Sequence, residues 1–205
     1  MWLERPRHYY ARLAERFRGR PILDVGCGRA KFPGATGIDI RSRLSRADIF
    51  HDLDVVPWPL PDDAYELVVV RHCLEHMRDV VQTVEELYRV TAPGGRLVIE
   101  VPHFSWVEAF THPGHLHFFS GGSMDYYRPG NGAYAAELAI VSRRIYFNDF
   151  FKLVGIEALA NRCSHLYERH FAFWFPAGSI IWELEPVKGS GRRLARDAAA
   201  APGSR

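Results

Sequence analysis

Pro21-Ile22-Leu23-Asp24-Val25-Gly26-Cys27-Gly28, followed by Gly37-Ile38-Asp39-Ile40, is the stretch that decides the fold. An apolar strand runs into a glycine turn, and a second strand ends on a carboxylate. Ile22, Leu23 and Val25 suit a strand buried in a parallel sheet. Gly26 and Gly28 let backbone approach a ligand without a Cβ in the way. The carboxylate of Asp39 can then accept from both hydroxyls of a ribose. This is the pattern of a nucleoside site, although a tight strand-turn-strand also needs glycine for steric reasons alone.

The spacing chooses between two kinds of nucleoside. A dinucleotide fold wants a further glycine where Lys31 stands, and an acid roughly 20 residues on. Here the acid comes early. From Gly28 to Asp39 there is room for a crossover of about 10 residues, and Phe32-Pro33-Gly34 breaks its middle. The first crossover helix is therefore expected to shrink to a turn or so, which argues against a pyrophosphate seated on a helix N-terminus.

Downstream, a third strand is expected around Ala47-Asp48-Ile49, followed by Asp52-Leu53, and a fourth over Tyr65 to Val70. The fourth opens into Arg71-His72-Cys73-Leu74-Glu75-His76. A helix starting near Asp79 carries Val80, Val81, Val84, Leu87 and Tyr88 on one face. It stops at Pro93-Gly94-Gly95, ahead of a fifth strand from Arg96 to Val101. Leu138 to Phe147 reads as a sixth strand and Ser179 to Val187 as a seventh, with a helical stretch from about Asp149 to Ala160 between them.

This ordered set resembles the class I S-adenosylmethionine-dependent methyltransferases, in the type 11-like group with Leu-Glu-His after strand four and Pro-Gly-Gly before strand five. The likeness covers about residues 21 to 120 and weakens toward 188. It implies an α/β fold with a Rossmann-like, seven-stranded, mostly parallel sheet flanked by helices, the last strand antiparallel, and S-adenosyl-L-methionine as cofactor. It also implies roles for residues. Asp24, Gly26, Cys27 and Gly28 match the glycine-rich first motif, and Asp39 with Ile40 the ribose-binding end of strand two. Asp52 and Leu53 match the pair that reads adenine by carboxylate and backbone amide, and Arg71 the backbone position near the methionine end. Ala30 departs from the pattern where many relatives carry a third glycine.

At 205 residues and 47% hydrophobic, the chain can bury one substantial core. Cys27, Cys73 and Cys163 show no paired metal-ligand spacing, and no apolar run opens the chain, so a reducing, cytoplasmic setting is expected. No stretch approaches the roughly 20 apolar residues that span a bilayer. Residues 1–20 carry +4 and residues 189–205 carry +3, which leaves −5 between them within a net charge of +2. An acidic catalytic body argues against nucleic acid as the substrate. The organisation expected is a basic amphipathic helix over 1–20, with Trp2, Tyr9, Leu13 and Phe17 at helical spacing, a catalytic domain over 21–188, and a disordered basic tail over 189–205.

After strand five come Pro102-His103-Phe104-Ser105-Trp106 and His112-Pro113-Gly114-His115-Leu116-His117-Phe118-Phe119-Ser120. Loops at the carboxyl ends of parallel strands build the site in this architecture, so the acceptor is expected here. A hydroxyl acceptor needs a base and histidine titrates in the right range; His76 and His117 lead, with His103 behind them. His115 and His117, joined by His103, His112 or Glu75, form a conceivable metal set, but the intervening aromatics favour histidines that stack and order the loop, and no metal is assigned. The aromatic run from Tyr167 to Pro176 reads as core, with pocket lining or a homodimer face as alternatives.

The function expected is methyl transfer from S-adenosylmethionine to a hydroxyl or amine of a small molecule. The alternative is a non-catalytic, cofactor-binding or regulatory subunit with a protein partner. A dinucleotide oxidoreductase is disfavoured by Lys31 and the short crossover.

Overall fold

A computed structural model describes residues 6–40 and 45–189. The expectations for Trp2 and for the tail beyond Gly189 lie outside the described residues. In chain order the elements are α1 (Pro6–Arg16), β1 (Ile22–Val25), β2 (Thr36–Asp39), β3 (Ile49–Phe50), β4 (Tyr65–Arg71), α2 (Val80–Val90) and β5 (Thr91–Pro102). Then come α3 (Val107–Thr111), β6 (Leu138–Tyr146), α4 (Asp149–Leu153), α5 (Ile156–Arg162), α6 (Ser164–His170) and β7 (Ser179–Pro186). Short 3-10 helices span Leu74–His76 and Gly121–Tyr127.

The seven strands form one sheet in the order β3-β2-β1-β4-β5-β7-β6. β1 through β5 pair in parallel, and β7 runs antiparallel to both of its neighbours. The Rossmann-like sheet with an antiparallel last strand is as the family resemblance implies.

Alternating side chains divide the core into two layers. Leu23, Val25, Val68, Val70, Leu97 and Ile99 point to one face and pack with Val84, Leu87 and Val90 of α2 and with Trp182. Asp79 caps α2 by accepting from the Gln82 N–H at 2.9 Å, which fixes where that helix begins. On the opposite face, Ile22, Leu67, Val69, Val98 and Ile181 pack under Leu13 of α1 and Phe17 of the turn that follows it. The connection from β1 to β2 contains no helix, as the spacing predicts. Phe32, 2% exposed, drops from that loop into the same layer and supplies apolar cover that a crossover helix would otherwise bring.

Two boundaries and the burial of the aromatic run differ from the sequence reading. Pro93-Gly94-Gly95 lies inside β5 as a bulge: Tyr65 pairs with Thr91, and the next pairing is Leu67 with Arg96. Gly94 has φ +74°, and a Cβ on Gly95 would fall 2.9 Å from the Ala92 carbonyl oxygen, so glycine is what lets the strand resume. The helical stretch after β6 is two helices, broken at Gly155 with φ +81°. Within the aromatic run, Tyr167 and Ala172 are buried, whereas Phe173 and Trp174 are 72% and 79% exposed.

Candidate active site

The residues matched to a nucleoside cofactor gather at the carboxyl ends of β1, β2, β3 and β4. Gly26 (φ +67°) and Gly28 (φ +50°) form the turn after β1. Their roles differ. A Cβ on Gly26 would stand 2.4 Å from Cys73 Sγ, so this glycine lets the turn pack against the segment after β4. A Cβ on Gly28 would meet nothing within 4 Å; it faces open space, which fits a backbone approached by ligand. Cys27 is buried beneath the turn, and desolvation, then Asp24 and Asp39, raises its thiol pKa, so it is suited to packing rather than chemistry.

Asp39 Oδ2 accepts from the Gly28 N–H at 2.8 Å and from the Ser45 hydroxyl at 3.3 Å, and its Oδ1 accepts from the Ile40 N–H at 2.7 Å. A carboxylate offers about four lone-pair sites, so a ribose can be held in addition once Ser45 turns away. Ile40 is 57% exposed beside it. Asp52 is exposed after β3, one Oδ1 accepting from the Asp54 N–H, and Leu53 is buried with its carbonyl accepting from Trp58 Nε1 at 3.0 Å. These positions suit a nucleoside lying across the ends of β1 to β3. Asp39→Ala is expected to weaken binding of S-adenosylhomocysteine by about 1.5 to 3 kcal/mol while the fold survives. Calorimetry paired with a thermal melt checks this, and unchanged affinity would remove Asp39 from the site.

Beneath the turn sits an ion pair. Asp24, 1% exposed, accepts from the Phe32 N–H at 2.6 Å and from Arg71 Nη2 at 2.9 Å. Arg71 also donates to the Ala30 carbonyl at 2.6 Å, and its guanidinium lies over the rings of Tyr10 and Phe32. Thus the Arg71 side chain ties β4, the β1 turn and α1 together. Lys31, near the same turn, pairs with Asp48 at 2.7 Å.

A cavity of about 850 Å³ opens at the carboxyl ends of β4, β5 and β6, lined by His72, Glu75 and His76 after β4 and by Pro102 and Trp106 after β5. His72 is half exposed and has φ +50°, a backbone conformation uncommon outside glycine, at the mouth of the cleft. Its Nδ1 lies 3.6 Å from Glu75 Oε1 and its Nε2 3.8 Å from Glu100 Oε1. Glu75 chiefly raises its pKa above the usual value, burial opposes, and Glu100 adds to the rise.

The three histidines proposed as bases part company here. His76 lines the cavity. His103 does not reach it: the ring is fully buried, held by Ser105 Oγ at 2.7 Å and Glu168 Oε1 at 3.2 Å, because residue 103 bridges to Phe119 within the wall. His117 lines a separate pocket with Val80, Val81 and Met124. The Leu116 and His117 N–H groups both reach the Glu75 carbonyl, at 2.8 and 3.3 Å, and His115 and His117 line different pockets on either side of that contact. His72, His112 and His115 are cavity residues that reasoning on sequence did not single out as bases. His72 stood in the same post-β4 segment as His76, the one signal that pointed to it.

The methyltransferase-domain family model matches residues 3–185. The chain belongs to that family. A probable S-adenosylmethionine-dependent methyltransferase of Mycolicibacterium smegmatis is 33% identical over 118 residues, which is 50% of this chain and 46% of the relative. A demethylmenaquinone methyltransferase of Thermus thermophilus is 33% identical over 79 residues, 38% of this chain and 31% of that protein. The chain thus spans less than half the length of these curated relatives. Among solved structures, a SAM-dependent methyltransferase from Archaeoglobus fulgidus superposes with a TM-score of 0.60 at 19% identity, covering 87% of this chain and 93% of that one. The [4+2]-cyclase SpnF superposes with a TM-score of 0.57, also at 19% identity, covering 89% of this chain and 82% of that one. Two neighbours named for different reactions make the family's fold clear and leave the acceptor to be argued from the site.

Proposed function

We propose that the protein binds S-adenosylmethionine across the ends of β1 to β4 and transfers its methyl group to a hydroxyl or amine of a small molecule held in the cavity. The observation that carries this reading is the position of that cavity. Its walls come from the segments after β4 and β5, at the carboxyl ends of the parallel strands where ligands bind in open α/β sheets, and its volume of about 850 Å³ suits a small organic ligand. Methyl transfer is a direct displacement at a carbon already activated by the sulfonium, so the protein's work is alignment, water exclusion and, for a hydroxyl, removal of one proton. His72 is the candidate base, a cavity imidazole flanked by the carboxylates of Glu75 and Glu100. A cytoplasmic setting accompanies this reading, on the three unpaired thiols of Cys27, Cys73 and Cys163.

Methyl-labelled S-adenosylmethionine incubated with the protein and a small-molecule extract is expected to place label in a low-molecular-weight product. Label confined to protein or nucleic acid would contradict a small-molecule acceptor. With the product in hand, His72→Asn, which tolerates the left-handed backbone, is expected to lower turnover roughly 100-fold for a hydroxyl acceptor and to leave cofactor affinity within about threefold. Equal turnover would remove His72 as the base.

A further inference from the structure

Three imidazoles meet in the cavity wall. His76 follows β4; His112 and His115 come from the loop after α3. One ring nitrogen from each lies within 4.8 Å of the others, and the ring centroids are 4.7 to 5.0 Å apart. Gly114 makes the approach possible, since a Cβ there would stand 3.1 Å from His112 Cε1 and 3.4 Å from His76 Nδ1.

The hydrogen bonds around the rings are those of a ligand set. His76 Nδ1 donates to the Gly114 carbonyl at 2.9 Å, and His115 Nδ1 donates to the Ala109 carbonyl at 3.0 Å. Each bond fixes the proton on Nδ1 and leaves Nε2 with a lone pair, which is the outer-shell arrangement of metal-binding histidines. Beside them is Glu75, 1% exposed, with both carboxylate oxygens buried and without a hydrogen-bond partner. Its Oε1 lies 4.0 Å from His115 Nε2. The nearest cationic candidates are the rings of His72, at 3.6 Å, and His115, and a carboxylate buried with no hydrogen bond is stabilised further by a cation held by the three imidazoles.

We propose that His76, His112 and His115 bind a divalent transition-metal ion of the zinc or cobalt type, with Glu75 as the compensating charge. Three imidazoles facing an open cavity form the ligand set of a site that keeps a position for a further ligand. That this position faces the methyl acceptor, and selects acceptors bearing an oxygen or nitrogen that can coordinate, rests on the function proposed above; the ion site rests on the side chains alone. Binding requires contraction, because nitrogens at about 2.0 to 2.1 Å from one ion stand closer together than 4.8 Å. His112 is the ring that moves. It is exposed, and its Nδ1 accepts from the Gly114 N–H at 3.1 Å, a contact that ligation through Nδ1 would replace.

The test is titration of the untagged, chelator-stripped full chain with Co²⁺, read by the visible bands of the coordinated ion and by stoichiometry. One ion per chain is expected, displaced by Zn²⁺. His112→Ala and His115→Ala should each weaken Co²⁺ binding by more than the roughly 10- to 100-fold that loss of an outer-shell partner costs. His165→Ala, at an exposed histidine on α6, should bind like the parent. Absence of stoichiometric Co²⁺ binding would overturn the site. So would binding unchanged in either His112→Ala, which alters an exposed ring and spares the core, or a folded His115→Ala. S-adenosylhomocysteine binding by the same samples separates the two readings: retained with no cobalt bound, it refutes the ion site alone; absent with cobalt bound, it refutes the cofactor reading alone.

Discussion

Gly26→Ala is expected to destabilise the protein by about 2 to 5 kcal/mol and to abolish measurable cofactor binding. Two costs combine. A residue with a Cβ held at φ +67° pays about 1 to 2 kcal/mol, and the added carbon would overlap Cys73, whose Sγ and Cβ lie 2.4 and 2.7 Å from its position, adding about 1 to 3 kcal/mol of overpacking. The overlap forces apart the β1 turn and the segment after β4, the two walls of the proposed site for the cofactor's methionine end. Urea unfolding and S-adenosylhomocysteine calorimetry measure the two effects. Cys73→Ala in the same chain should restore only part of the stability, because its Cβ remains. Gly28→Ala is the contrast: its Cβ would enter open space, so its stability loss should be confined to backbone strain while cofactor affinity still falls. A Gly26→Ala protein as stable as its parent would mean that the turn does not pack on Cys73 as described.

Arg71→Ala is expected to cost about 3 to 5 kcal/mol, the loss that follows when one partner of a buried pair is removed and the other charge stays. The charge left behind is Asp24, 1% exposed, whose pKa burial already raises above 3.8 while Arg71 holds it down. Removing the guanidinium lets that pKa rise further. Because the folded state then favours the protonated acid, stability is greatest below the ordinary carboxyl range and is lost as pH rises through the folded pKa. The variant's deficit against the parent should therefore be smallest in acid and grow as pH rises above the parent's Asp24 pKa. Asp24→Asn in the Arg71→Ala background should recover much of the loss at neutral pH, since the neutral amide can still accept from Phe32. A deficit independent of pH would show that the pair is not what Arg71 contributes.

How much of this was legible in the sequence follows from how far each feature depends on distant residues. β1, β4 and β5 were legible because burial in a parallel sheet demands continuous apolar runs, and the glycine turn because positive φ demands glycine. The missing crossover helix followed from the short run between Gly28 and Asp39 and the Phe32-Pro33-Gly34 break within it. The bulge at Pro93 to Gly95 was not legible, because the same residues spell a turn between elements or a looped-out segment within one, and only the pairing of Tyr65 with Thr91 distinguishes them. The cofactor positions lie at strand ends, which local pattern locates well. The histidines were harder. His76 meets His112 and His115 across more than thirty residues of chain, and no local period encodes that meeting. His103 looked equivalent to His76 as a post-strand histidine, but its bridge to Phe119 turns it into the wall, where Ser105 and Glu168 hold it.

In the proposed site the compressed turn after β1, with Asp39 opposite it, holds a methionine-derived nucleoside and leaves no seat for a pyrophosphate. Isothermal calorimetry of the full chain with S-adenosylmethionine, S-adenosylhomocysteine and a nicotinamide dinucleotide decides between the two. Binding of both methionine-derived nucleosides at one per chain, with no heat from the dinucleotide, is the predicted result; tight dinucleotide binding with neither of the others would contradict it.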